Sequence, residues 1–131
     1  MCGIAGIVDF NGPAPSEGLL RKMLGLIRHR GPDAFGIYMD DNAGLAHARL
    51  SIIDLSGGDQ PIHNEDRSVW IVYNGEVFNY PELRKNLQDR GHSFYTQTDT
   101  EIIVHLYEEH GPALFEKLNG QFAHVLRRGE Q

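Results

Sequence analysis

Short, largely apolar runs, bounded by polar turns or by glycine, recur along most of this chain. Gly3 to Asp9, Phe35 to Met39, Leu45 to Ile53, Ser68 to Tyr73 and Gln121 to Leu126 all have this form, and the pattern predicts a strand for each. Helical spacing is confined to fewer segments. Ser16 to Arg30 puts Leu19, Leu20, Met23, Leu26 and Ile27 on one face, with Ser16 able to cap and Gly31-Pro32 ending the helix. Pro81 to Arg90 reads as a short helix with proline in its first turn and Gly91 after its end. Thr98-x-x-Glu101 has the form of a capping box opening a helix to His110, which Gly111 stops. Pro112 to Leu118 adds a helical turn or two, and His92 to Tyr95 is a candidate short strand. Strands outnumber helices and several neighbours are hairpin-like. That combination predicts an α+β fold with antiparallel sheet rather than regular βαβ alternation. At 131 residues the chain has the size of one domain and can bury a core without disulfides.

Charge and composition exclude several roles. Eighteen acidic residues face twelve basic ones, for a net charge of −6, and the basic residues are scattered. A nucleic-acid surface needs a basic face, which this distribution does not supply. The sequence lacks the long apolar run that a membrane-spanning helix requires. The start has no basic n-region and Asp9 breaks its apolar stretch, so no signal peptide is expected. A single cysteine precludes an internal disulfide and suits a reducing cytoplasm. His105 and His110 lie on different faces of one helix and no cysteine pair accompanies them, so no metal is expected there. Gly57-Gly58 lacks the Lys-Ser/Thr ending of a phosphate loop.

A few residues carry candidate chemistry, each with an ordinary reading beside it. A lone cysteine is commonly a small buried hydrophobe. Cys2, however, follows the initiator methionine, whose removal would place a thiol and a free α-amino group on one residue. Such an amine, with an unperturbed pKa of about 7.7–8.0, can act as base toward its own nucleophile near neutral pH. Asn74-Gly75 is what a type I′ hairpin turn wants. It also offers an amide side chain beside a backbone N–H that no Cβ obstructs, the components of an oxyanion hole. Arg49 is either a surface residue or a bidentate clamp on a carboxylate, sharing a strand face with His47, Ser51 and Ile53. Asp99, inside the capping pattern, reads first as an acid in a helix's opening turn, and Glu76 as a solvated strand or turn residue.

Six segments together resemble the class II glutamine amidotransferases, the N-terminal-nucleophile hydrolase domains, in their asparagine synthetase branch. They are Met1-Cys2-Gly3-Ile4-Ala5-Gly6, Arg28-His29-Arg30-Gly31-Pro32-Asp33, the stretch from Ala46 to Leu55, Gln60-Pro61-Ile62, the stretch from Tyr73 to Tyr80, and Thr98-Asp99-Thr100-Glu101. The resemblance implies an αββα sandwich of antiparallel sheets, with Cys2 as nucleophile on the side-chain amide of L-glutamine. It implies an oxyanion hole from Asn74 and Gly75, and Arg49 on the substrate α-carboxylate. Asp99 and Glu76 would address the α-ammonium, with Asn74 and the backbone of Leu50 and Ile52 helping to hold the substrate. The resemblance calls for no cofactor in this chain; ATP and magnesium belong to a synthetase domain, absent here, which would accept the ammonia. The family's domain continues past residue 131 into further strands, so 1–131 is expected to be a C-terminally shortened glutaminase domain. An incomplete sheet would leave an open edge and apolar surface, for which dimerisation is one remedy. A glutamine-binding or assembly module of the same fold, without turnover, is the alternative function.

Overall fold

The computed structural model describes residues 1–13, 15–51 and 57–129. Strands β1 (Gly3–Val8), β2 (Ala34–Met39) and β3 (Ala43–Arg49) form one antiparallel sheet in the order β1-β3-β2. Strands β4 (Ile62–His63), β5 (Val69–Val77) and β6 (Gly120–Arg128) form a second, in the order β4-β5-β6. Helix α1 (Glu17–Ile27), continued by a 3₁₀ turn over Arg28–Arg30, packs on the first sheet. Helices α2 (Tyr80–Asp89) and α3 (Glu101–His110) cover the second, followed by a 3₁₀ segment over Gly111–Lys117. The result is the expected αββα layering.

Period-two alternation in β3 explains how its layers join. Ala46 and Ala48 face α1 and meet Leu20 and Leu24. Gly44 shares that face, and a Cβ there would lie 2.6 Å from a Leu20 methyl. Leu45, His47 and Arg49 point the other way, toward the second sheet, so every residue of β3 is buried. In β5 the odd-numbered residues Val69, Ile71, Tyr73 and Val77 pack against Ile102, Ile103 and Leu106 of α3. The even-numbered residues face the first sheet. Tyr38 stacks on Trp70 at 4.7 Å across the gap. Arg127 of β6 reaches Asp40 beyond β2, with Nε 2.6 Å from Oδ2. No helix among the described residues is long and apolar enough to cross a membrane.

Most elements fall where periodicity placed them, and Ser16 caps α1 by accepting from Leu19 N–H at 3.2 Å. Three readings are corrected. Asn74-Gly75 is not a hairpin turn: β5 runs straight through it to Val77, with Asn74 opposite Ala123 and Gly75 opposite Phe122. His92 to Tyr95 is not a strand. The N–H groups of Ser93 and Tyr95 donate to the carboxylates of Glu65 and Glu101 instead of to a neighbouring strand. Thr98 is not the helix cap either, since α3 begins after Thr100. Glu101 does reach back over the helix start, but it accepts from the Thr96 hydroxyl and from the N–H groups of Tyr95 and Thr96.

Candidate active site

The site is built on the end of β5. Tyr73 N–H donates to Gln60 Oε1 at 2.6 Å, and Gln60 Nε2 donates to Tyr73 O at 3.2 Å. The Gln60 amide therefore binds β5 as a neighbouring strand would, one residue before Asn74. His47 Nε2 lies 3.0 Å from the same carbonyl, and burial pushes the His47 pKa down to about 4, so its ring is neutral at physiological pH. Beyond this anchor Asn74 is half-buried and Gly75 and Glu76 are exposed. The Asn74 side-chain amide makes no hydrogen bond to any described residue, which leaves its donors available to a ligand. Gly75 has a reason of its own to be glycine. Its φ is +157°, and a Cβ would sit 2.2 Å from Gln121 O and 2.5 Å from the Phe122 Cα. The close crossing of β6, rather than a turn, demands this residue.

Cys2 precedes β1 and faces this end of β5 from the first sheet. Leu50 N–H donates to its Sγ at 3.3 Å, and Arg30 Nε donates to Cys2 O at 3.1 Å. The Arg30-Gly31-Pro32-Asp33 segment, read from the sequence as the end of the first helix, is thereby also a brace. A Cβ on Gly31 would lie 2.1 Å from Ala48 O, so this turn rests directly on β3. Asp33 N–H donates to Arg49 O at 3.0 Å, and the Asp33 carboxylate accepts from Ser51 N–H at 2.8 Å. One short segment thus fixes both the cysteine and the chain on either side of Leu50.

Arg49 ends β3 and is only 6% exposed, so the surface reading is corrected. It already holds a carboxylate: Nη1 lies 2.6 Å from Asp59 Oδ1, and Asp59 itself is largely exposed. Asp59, ten residues on and beyond the strand, was not legible as this partner from local pattern. Asp99 lies just before α3, buried, and its Oδ2 accepts from Val77 N–H at 2.8 Å. Burial pushes the Asp99 pKa up, and nearby Glu76 adds to the rise. A cation placed beside Asp99 would offset the cost of its buried charge.

These groups line one cavity of about 440 Å³. Cys2, Arg49 and Leu50 contribute from the first sheet, Asn74, Gly75 and Glu76 from β5, and Asp99 from the start of α3. Every expected site residue among the described ones is therefore in its wall; Ile52 lies outside the described residues. Gln60 and residues 121–123 of β6 are also among the lining residues. They were not foreseen, because β6 reaches the site only through long-range pairing. An arginine and a buried acid in one cleft can hold the carboxylate and ammonium of a free amino acid, leaving its side chain to extend toward a thiol.

The glutamine amidotransferase domain family matches residues 1–130. The chain belongs to that family. The glutamine-hydrolysing asparagine synthetase of Brassica oleracea is 43% identical over 127 residues, covering 96% of this chain and 21% of that protein. Asparagine synthetase 1 of Bacillus subtilis is 40% identical over 129 residues, covering 96% and 20%. This amidotransferase domain thus spans about a fifth of the length of the curated relatives it matches. Among solved structures, a glutamine phosphoribosylpyrophosphate amidotransferase from B. subtilis aligns over 98% of the chain and 35% of its own, with a TM-score of 0.76 at 17% identity. An allosteric regulatory enzyme of purine biosynthesis aligns over 97% and 35%, with a TM-score of 0.77 at 18% identity. At that identity the likeness establishes a shared fold and nothing further.

Proposed function

We propose that this domain hydrolyses glutamine to glutamate and ammonia at Cys2, supplying ammonia for amide transfer of the kind asparagine synthesis requires. The observation that carries the reading is the convergence of Cys2, Arg49, the Asn74-Gly75 pair and Asp99 on one cavity. Arg49 takes the α-carboxylate in place of Asp59, and Asp99 and Glu76 take the α-ammonium. The substrate amide then lies between Cys2 and Asn74. Removal of Met1 frees the Cys2 α-amine, which accepts the thiol proton. Sulfur attacks the amide carbon; a C–S bond forms and the carbonyl pair moves to oxygen, where the Asn74 amide and Gly75 N–H receive it. On collapse the C–N bond breaks, and the amine returns its proton to the departing nitrogen, giving ammonia. Water, deprotonated by the same amine, cleaves the thioester to glutamate and thiol. A synthetase domain or subunit is the ammonia acceptor in this reading, and ATP and magnesium would act there.

The test is to record the intact mass for loss of Met1 and then assay glutamate and ammonia release in the wild type and in Cys2→Ala. Glutamate release that vanishes in the variant supports hydrolysis. Equal rates in both proteins refute it, and glutamine binding without turnover in a Met1-free wild type would make the chain a binding module instead.

A further inference from the structure

Two histidines and two glutamates outside the cleft form a second cluster, assembled from three separate parts of the chain. His105 and Glu108 lie one turn apart on α3, His92 follows α2, and Glu65 sits in the turn between β4 and β5. One ligating atom from each lies within 4.8 Å of all the others. His92 Nδ1 is 3.1 Å from Glu65 Oε1 and 3.6 Å from Glu108 Oε2. His105 Nδ1 is 3.2 Å from Glu65 Oε2 and 3.3 Å from Glu108 Oε2. A tetrahedral zinc ion with ligands at about 2.0–2.1 Å holds neighbouring ligand atoms about 3.3–3.4 Å apart. With Oε1 as the Glu65 ligand atom, three of the six edges of such a tetrahedron are near their bonded length.

The outer contacts provide an independent observation. Both rings turn Nδ1 inward, and both Nε2 atoms face a further carboxylate: His92 Nε2 is 3.1 Å from Glu109 Oε1, and His105 Nε2 is 3.5 Å from Glu101 Oε1. The hydrogen bond from His92 Nε2 to Glu109 favours the tautomer that exposes Nδ1, which is the usual support for a metal-bound histidine, while His105 Nε2 is buried near Glu101 without a hydrogen bond. The glutamates are held as well. Ser93 N–H donates to Glu65 Oε1 at 2.9 Å, and Asn64 Nδ2 donates to Glu108 Oε1 at 2.7 Å. His105 is fully buried, whereas Glu65 is about a third exposed, so the cluster opens to solvent on the Glu65 side. Four carboxylates surround the two rings, and Arg90 pairs with Glu109. A divalent cation would balance much of that charge.

We propose that Glu65, His92, His105 and Glu108 form a structural zinc site. It ties α3 to the β4–β5 turn and to the segment leading, through Glu101 and Thr96, toward Asp99. Two nitrogen and two carboxylate ligands in this geometry suit zinc better than magnesium or calcium, which prefer octahedral or larger oxygen shells. The site is independent of the proposed glutamine chemistry.

The full chain is tested as Cys2→Ala, so that its thiol cannot supply the ligand. It is stripped with a chelator and titrated with zinc sulfate by calorimetry, beside Glu65→Gln, His92→Gln and their double variant in the same background. These two positions are chosen because neither is fully buried; far-UV circular dichroism checks that each variant folds. One zinc ion per chain is expected, with affinity about tenfold or more lower in each single variant and lost in the double. Nitrogen NMR of the parent, which depends on no variant, should show both rings as Nε2–H tautomers once zinc is added, and cobalt should give tetrahedral visible absorption. Absence of stoichiometric binding, equal binding in parent and double variant, or rings unchanged by zinc would overturn the proposal and leave an ion-paired histidine cluster.

Discussion

Gly75→Ala separates a strand crossing from a turn. In a type I′ turn, an alanine at this position would pay only for a left-handed backbone, about 1–2 kcal/mol. In the structure its Cβ would lie 2.2 Å from Gln121 O, where ordinary contact needs 3.4–4 Å. The obstacle is backbone on both counts, because Phe122 Cα is also within 2.5 Å. No side chain can rotate away, so β5 and β6 must part by about an ångström two pairs from the end of their shared ladder. Overpacking of this kind costs about 1–3 kcal/mol, and a non-glycine residue in this region of φ adds about 1–3 kcal/mol. The sum, about 2–5 kcal/mol, is a large part of the 5–15 kcal/mol typical of a whole domain. Urea denaturation followed by circular dichroism measures it directly. A midpoint shift equivalent to about 1 kcal/mol or less, with unchanged slope, would refute the strand-crossing explanation.

Three further expectations follow from ion pairs. Asp59→Asn removes the carboxylate that pairs with Arg49 Nη1; because Asp59 is exposed, the gain is about 0.2–1 kcal/mol, and KM for glutamine should fall by up to about fivefold with kcat unchanged. Asp99→Asn removes the counter-charge for the substrate ammonium and should lower kcat/KM by about 2–4 kcal/mol. Because the folded-state pKa of Asp99 lies above the ordinary aspartate value, folding stability falls as pH rises between those two values, and Asp99→Asn should be the more stable protein above that window in thermal melts. Arg127→Ala breaks the link to Asp40 between the sheets and should cost about 1–3 kcal/mol at neutral pH. Burial raises the Asp40 pKa, but hydrogen bonds from Arg127, Asn42 and Ala43 outweigh it and hold it low. That contribution is therefore full above the ordinary aspartate pKa and is lost as pH falls through the lowered one, where the gap between the melting curves should narrow to what the hydrogen bond from Arg127 to Asn42 and its other contacts supply.

Local pattern revealed much of this molecule. The strands near the start and helix α1 follow from residues that are neighbours in sequence, and Ser16 caps where it should. Asn74-Gly75 misled because the hairpin signal is local, whereas β6 pairs with it from Ala123 and Phe122, far along the chain. His92–Tyr95 misled for a related reason: side chains of Glu65 and Glu101 satisfy its N–H groups. Of the candidate site residues, Cys2 stood out by its place after Met1 and Arg49 by interrupting an apolar run, whereas Asn74 and Asp99 had ordinary local readings and joined the site through the family resemblance. Their supports were not legible. Gln60 imitates a strand partner, and Arg30 and Asp33 brace the cysteine through backbone contacts. The pairing of His105 with His92 rather than His110 depends on how α3 packs.

Labelling at Cys2 tests the central claim most directly. The wild-type protein is incubated with a glutamine analogue whose side-chain amide is replaced by an electrophilic ketone, and its intact mass and peptide map are recorded. One adduct per chain is expected, on residue 2 of a protein that has lost Met1. It should be blocked by excess L-glutamine and slowed at least tenfold in Arg49→Lys, which lacks the bidentate fork. Modification that glutamine does not suppress, or that proceeds equally in Arg49→Lys, would contradict a glutamine site built around Cys2.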